Sequence, residues 1–254
     1  MPDAAAPPSG EPKQQVVVLT GAGGRFGRIL AERLIAEPSL FPVLLTSDPG
    51  KLPFPPDDQH ARYRITLADP QSVREVFARI HDEQGDIDAL INNAAVITVP
   101  GFEDFVRNVD DGRVLESFAV NAGAALLCIK YALERGRPRG KKIINILAGR
   151  ALTGHLRHVE YYASKAGLYN ATKTLANDYP EHVFRNVMSG RIDLGDHGDS
   201  PDSMWAYIRD LIHEARPAPY REVYFRPRGE YLWRLLQYYW RHFRSCERRP
   251  VKRN

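Results

Sequence analysis

Apolar residues along this chain fall into two alternating patterns. Unbroken apolar, β-branched runs predict strands buried on both faces of a parallel sheet: "QVVVLT" (15–20), "PVLLTSD" (42–48), "RYRITL" (62–67), "DALINNA" (88–94), "KKIINIL" (141–147) and "FRNVMSG" (184–190). Between them, apolar positions recur every three to four residues. "RILAERLIAE" (28–37) places Ile29, Leu30, Leu34 and Ile35 on one helix face. "DPQSVREVFARIHDEQ" (69–84) predicts a helix with Asp69 as N-cap and Pro70 in its first turn. Helical stretches are also expected over about 112–135 and 159–179. Strand and helix alternate throughout, which predicts an α/β domain with a doubly wound, mostly parallel sheet.

Composition changes this picture little. Of 254 residues, 43% are hydrophobic and 26% charged, so a packed core is expected. One domain is expected over 15–228, behind a Pro/Ala/Gly-rich leader (1–14) expected to be disordered and ahead of an aromatic and basic segment (229–254). The net charge of +4 resides in the tail "RHFRSCERRPVKRN", which holds six Lys/Arg against one Glu. A solvated end, not a nucleic-acid face, follows. Cys128 and Cys246 form no CxxC, and Cys128 in "AALLCIK" reads as a small core residue. The leader lacks a signal-peptide core and no apolar run approaches membrane-spanning length, so a cytoplasmic protein without a membrane span is expected.

"TGAGGRFG" separates the first strand from the first helix. There a glycine turn brings backbone N–H groups and a helix N-terminus against a pyrophosphate, the arrangement of a Rossmann-type fold. Gly21, Gly24, Arg25, Phe26 and Gly27 are its candidate cofactor-binding positions. Asp48, at the end of the second strand, is the candidate ribose ligand, 27 residues past Gly21 against a usual offset of about 20. A turn role ahead of Pro49 is its alternative reading. A carboxylate there favours NAD over NADP, although Arg25 and Lys51 oppose it as possible phosphate partners.

In "YYASK" Tyr161 and Lys165 stand four residues apart, on one helix face at about 5–6 Å between Cβ atoms. A phenol titrates near 10, and a neighbouring ammonium together with a nicotinamide's positive charge would lower that value toward a useful base. Together with "TGAGGRFG", "NNAA" (92–95) and "FAVNAG", the motif makes residues 15–195 resemble a short-chain dehydrogenase/reductase. That resemblance implies an NAD(P)-dependent enzyme interconverting a secondary alcohol and a ketone, working as a homodimer or homotetramer on a small-molecule substrate. It implies that Asn93, Ala94 and Ala95 border the cofactor's adenosine and ribose, Thr66 and Leu67 flank its adenine, and Ile192 meets its carboxamide. Tyr161 would act as general acid or base, Lys165 would hold the ribose, and Asn121 would fix a water or a helix irregularity in the proton path.

Several positions depart from the family pattern. The 21/24/27 glycine spacing belongs to the extended, sugar-nucleotide branch, whereas "NNAA" and "YYASKAG" read like the shorter one. Compact uronate dehydrogenases combine such glycines with a similar length, and their "RIG" stretch and Trp-containing helix are echoed in "RID" and "DSMWAYIRDLI". Thr66 stands where an aspartate is usual, and Ser189 where a proline is common. The serine or threonine expected thirteen positions before the tyrosine is Ala148. Loss of such a donor costs on the order of 3 kcal/mol of transition-state stabilisation. Substrate or water, or a side chain such as Thr153 or His155, would have to replace it; otherwise the chemistry differs. That leaves an epimerase or dehydratase with retained NAD, or a redox-silent nucleotide-binding protein, as alternatives. Arg150, His155 and Arg157 are the candidate partners of an anionic or sugar-like substrate, with a solvated basic loop as the competing account. His155 and His158 lack the carboxylates or cysteines that would complete a metal site. "GEYLWRLLQYYWRHF" (229–243) is expected to form a helix that covers the core or a subunit contact.

Overall fold

The computed structural model describes residues 14–55, 57–97, 105–153, 158–189, 200–215 and 220–224. In chain order the elements are β1 (Gln15–Thr20), α1 (Arg25–Ile35), β2 (Leu40–Thr46), β3 (Ala61–Arg64), α2 (Pro70–Gln84), β4 (Ala89–Asn92), α3 (Phe105–Asn108) and α4 (Asp111–Phe118). A π-helical turn (Ala119–Ala124) leads without a break into α5 (Ala125–Glu134). Then come β5 (Lys142–Ala148), a 3₁₀ turn (Gly149–Leu152), α6 (Val159–Asp178), β6 (Val183–Ser189), α7 (Pro201–His213) and β7 (Tyr220–Tyr224).

Seven strands form one sheet in the order β3-β2-β1-β4-β5-β6-β7, every pair parallel. The chain builds outward from β1 to β3, then crosses back to lay β4 on the other side of β1. The switch point between β1 and β4 opens a crevice at the strands' C-terminal ends, where doubly wound sheets bind ligands.

Strand alternation sorts the core into two layers. Val17 and Leu19 join Leu30 and Leu34 of α1 and Ile208 and Leu211 of α7. Val16 and Val18 join Phe77 and Ile80 of α2 and Cys128 and Ile129 of α5. Each such burial contributes about 1.5–3 kcal/mol. Cys128 is a buried core residue, as expected, and burial pushes its thiol up to about 12.

The caps predicted for α2 are present: Asp69 accepts from the backbone N–H of Gln71 at 3.0 Å, with Pro70 in the first turn. Other boundaries shift. β2 begins at Leu40 and takes in Pro42, which lies opposite Val17 and just ahead of the first β3 pairing at Val43. β3 ends at Arg64, because Thr66 turns its N–H to Ser72 Oγ and its carbonyl to Asp69 N. The helix predicted over 112–135 contains the π turn. Its whole run, Asp111–Glu134, is long and apolar enough to cross a membrane by length and composition, contrary to the sequence expectation. Here Cys128, Ile129 and Ala132 of that run pack into the core. β7 and α7 add elements that the strand and helix patterns did not assign. Most of the leader and all of the 229–243 segment lie outside the described residues.

Candidate active site

The glycine turn, Asn93, Asn121 and Lys165 gather around the C-terminal ends of β1, β4 and β5, whereas Asp48 follows β2 and Thr66 and Leu67 follow β3. Gly21 has φ +69°, and a Cβ on it would stand 2.8 Å from Ala94 Cα. A Cβ on Gly27 would stand 2.0 Å from the Gly21 carbonyl oxygen, so α1 packs on the turn only because that residue is glycine. Gly24 is the N-cap, no side chain caps the helix, and its first turn carries no acidic residue. The N–H groups opening α1 therefore lack helical partners and face a site suited to anionic oxygens. Arg25 is exposed at that end, while Phe26 sends its ring into the core, leaving only its backbone N–H for a ligand. These residues fit a dinucleotide's pyrophosphate.

Thr20, which the motif reading passed over, organises the crossing to β4. Its Oγ accepts from the N–H groups of Asn93 and Ala94, both at 3.1 Å. Asn93 donates its side-chain amide to the Thr20 and Gly21 carbonyls at 3.1 and 3.3 Å. The Asn93 side chain is thus engaged in holding two loops together. Ala94 packs on Gly21, and Ala95 is exposed beside it. Thr66 is exposed, whereas Leu67 packs partly into the core layer of α2.

Asp48 serves the turn that was its alternative reading: Oδ1 accepts from Gly50 N at 3.1 Å, and Oδ2 lies 3.8 Å from Lys51 Nζ. The Asp48 side chain remains 43% exposed, so one carboxylate oxygen is still accessible from solvent.

Asn121 lies in the π turn and is 1% exposed. Its Oδ1 accepts from Val96 N at 2.7 Å. Its Nδ2 donates to the Val96 carbonyl, Ser117 Oγ and Ser164 Oγ at 2.9, 3.0 and 3.1 Å. One amide thus joins the loop after β4, helix α4 and helix α6. Ser164 passes the link on by donating to the Tyr161 carbonyl at 2.8 Å. Ser117 and Ser164 were not anticipated; the signal for Ser164 was its place inside "YYASK".

Lys165 is buried, and its Nζ donates to the Ile146 carbonyl at 3.0 Å. Burial pulls its ammonium down to about 8. Burial, with a smaller contribution from Tyr162, pushes the Tyr161 phenol up to about 12. In the chain by itself burial thus acts against the lowering expected from the ammonium together with a nicotinamide's positive charge. The Tyr161 and Tyr162 rings meet edge to face at 5.3 Å between centroids.

Ala148 ends β5 and is 8% exposed, with Arg150 exposed in the 3₁₀ turn that follows. His158 caps α6 in the left-handed region (φ 55°), and its ring stands edge to face with Tyr162 at 6.4 Å. His155, Arg157 and Ile192 lie outside the described residues, as does the "RID" stretch. Among the described residues, no group of three or more His, Cys, Asp or Glu could hold a metal ion.

The family model described as short chain dehydrogenase matches residues 15–193. The chain belongs to the short-chain dehydrogenase family. As a member it is an enzyme, an NAD(P)-dependent oxidoreductase acting between alcohols and ketones. Among curated relatives, the 2,5-dichloro-2,5-cyclohexadiene-1,4-diol dehydrogenase of Sphingobium indicum is 27% identical over 175 residues, covering 67% of this chain and 69% of the relative. The meso-2,3-butanediol dehydrogenase of Serratia marcescens is 26% identical over 171 residues, 65% of each chain. Among solved structures, a short-chain dehydrogenase from Streptomyces avermitilis superposes with a TM-score of 0.75, at 18% identity and over 92% of this chain and 96% of that one. The aldohexose dehydrogenase of Thermoplasma acidophilum gives 0.68 at 20% identity, over 84% and 92%. At these identities the two structures establish the shared fold.

Proposed function

We propose that this short-chain dehydrogenase interconverts a secondary alcohol and a ketone on a small polar, hydroxylated or anionic substrate, with NAD as its partner. Tyr161 moves the proton and Lys165 supports it. The observation that carries this reading is the placing of the pair. They share one face of α6, and the Ile146 carbonyl holds Lys165 Nζ at the strand edge beside the switch-point crevice.

The nicotinamide, when bound, supplies the hydride chemistry. The chain's own part is the proton. Tyr161 takes the proton of the substrate hydroxyl as the carbonyl forms, and returns it in reduction. With its phenol near 12 it is a poor base in the chain alone, so positive charge must be brought beside it before oxidation can start. Among the described residues Lys165 spends one N–H on Ile146, and its other two would serve the ribose hydroxyls while its ammonium contributes to that charge. Asn121 holds the loop after β4 against α6, which keeps the cofactor loop and Tyr161 in fixed relation.

A hydroxylated substrate is supported by the diols in the names of two relatives and by Arg150, exposed just past the end of β5. Preference for NAD is supported by Asp48, whose accessible oxygen would accept from a ribose 2′-OH and repel a 2′-phosphate. The family resemblance supports an oligomer of identical chains, working in the cytoplasm.

Turnover is tested with NAD and NADP on meso-2,3-butanediol, trans-1,2-cyclohexanediol, D-glucose and D-glucuronate. Tyr161→Phe should abolish it while leaving NADH affinity intact; turnover within about threefold of wild type would sink the mechanism. Titrating both cofactors into wild type and Asp48→Ala tests the second point. Wild type should prefer NAD and the variant should lose that preference, whereas equal preference in both proteins removes the role given to Asp48.

A further inference from the structure

The hydroxyl missing at Ala148 has a neighbour in register. β5 and β6 run parallel with Ala148 paired to Ser189, so their Cα atoms sit one strand spacing apart, about 4.8 Å. The alternation of both strands puts the two side chains on the same face. Ile144 and Ile146 precede Ala148 on the layer of α1 and α7, and Val187 precedes Ser189 on that same layer. Ser189 is 5% exposed, and its Oγ donates to the Leu147 carbonyl at 2.8 Å. The last three residues of β5 therefore carry, in order, the carbonyl that holds Lys165, the carbonyl that holds Ser189, and a methyl group. Lys165 Nζ and Ser189 Oγ are thus held by the two consecutive carbonyls that precede Ala148.

We propose that Ser189 is the third member of the site, its hydroxyl supplying from β6 the hydrogen bond to the reacting oxygen that β5 cannot supply from Ala148. The assignment rests on the reading of Tyr161 and Lys165 as the proton-transfer pair. A serine hydroxyl has one proton and turns about a single bond. Without substrate that proton rests on the Leu147 carbonyl. With substrate it turns to the oxygen on which negative charge develops as the proton leaves for Tyr161, where a preorganised donor acts most strongly. No bond is made or broken at Ser189, and its proton stays on Oγ. The small methyl of Ala148 leaves that turn unobstructed, so the alanine is part of the arrangement and not a defect in it.

The test uses the full chain, the preferred cofactor and whichever of the four probe substrates above is turned over fastest. Ser189→Ala should lower kcat by about a hundredfold with NADH affinity and Tm near wild type, and Ser189→Thr, which keeps the hydroxyl, should retain most activity. Returning the hydroxyl to β5 in the double variant Ser189→Ala/Ala148→Ser should recover at least about tenfold. A merely structural serine would not be rescued from the neighbouring strand. The proposal is overturned if Ser189→Ala keeps kcat within about threefold of wild type, or if the double variant shows no recovery. It is equally overturned if the loss is matched by a fall in NADH affinity or by a Tm drop above about 5 °C. Tyr161→Phe, measured alongside, separates the two readings. A silent Tyr161→Phe beside an active Ser189→Ala removes Ser189 alone. An active Tyr161→Phe, or no turnover of any probe by wild type, removes the proton-transfer reading and this assignment with it.

Discussion

Two lysines are buried at opposite ends of the same sheet. Lys141, ahead of β5 at the strands' N-terminal edge, is 1% exposed, and Lys165, at the C-terminal edge, is 2% exposed. Their partners differ. Lys141 Nζ meets Asp86 Oδ1 at 2.6 Å and the carbonyls of Ala132 and Arg135 at 2.9 and 2.5 Å, so all three of its N–H groups are spent. Arg137 reinforces the cluster by pairing with Asp88 at 2.7 Å, and Asp88 Oδ2 accepts from Val16 N. Burial alone would raise the Asp86 carboxyl, but the Lys141 hydrogen bond and the neighbouring cations hold it below its ordinary value. Lys165, among the described residues, has the single carbonyl of Ile146, and burial pulls it down to about 8. An ammonium whose donors are all satisfied closes off the end of α5 and ties it to the sheet. One left with two spare donors is kept at a cost in stability and is available to a ligand. Perturbation without compensation marks the functional edge.

Three changes sharpen that contrast, beginning with the largest. Lys165→Met should lower kcat by about 10²–10⁴-fold, with Tm at neutral pH unchanged or higher because a desolvated charge is removed. A substantial Tm loss with activity intact would reverse the roles assigned to the two lysines.

Lys141→Met should do the opposite. Removing the lysine leaves Asp86 Oδ1 and two helix-end carbonyls without their donor, although Arg137 still pairs with Asp86 Oδ2, for a loss of about 3 kcal/mol in denaturant unfolding. Surviving folded protein should keep wild-type kcat and KM.

The smallest effect lies in pH dependence. Below about 8 Lys165 is charged in both folded and unfolded chains, and its desolvation penalty is present in full; above the ordinary lysine value of 10.5 it is neutral in both, and the penalty vanishes. Between these values the unfolded chain binds more protons, so stability rises with pH on account of this group. The stability of wild type relative to Lys165→Met should therefore climb from pH 8 to 10.5. A flat difference across that window would mean that the lysine is not desolvated.

Much of this site was readable in the chain. The glycine turn ahead of α1, the Asp69 cap and the i, i+4 pair of Tyr161 and Lys165 each involve residues close in sequence, where local geometry alone decides the outcome. Asn121 was picked out by its motif, but that its amide clasps Val96 and Ser164 was not foreseeable, since those groups come from the loop after β4 and from α6. β7 escaped notice because "YREVY" is short and mixed in polarity, and it counts as a strand only beside β6. Asp48 carried two readings in the sequence, and its bond to Gly50 shows that the turn role holds whatever the ribose does.

Periodicity, caps and turn glycines act over a few residues, so the sequence by itself determined the alternating elements, the nucleotide-type turn and the spacing of the phenol and the ammonium. Strand order, register and burial depend on segments far apart in the chain. Only the tertiary structure decided that desolvation drives Tyr161 up and Lys165 down, that Lys141 is fully partnered while Lys165 is not, and that the alanine ending β5 lies opposite a serine ending β6.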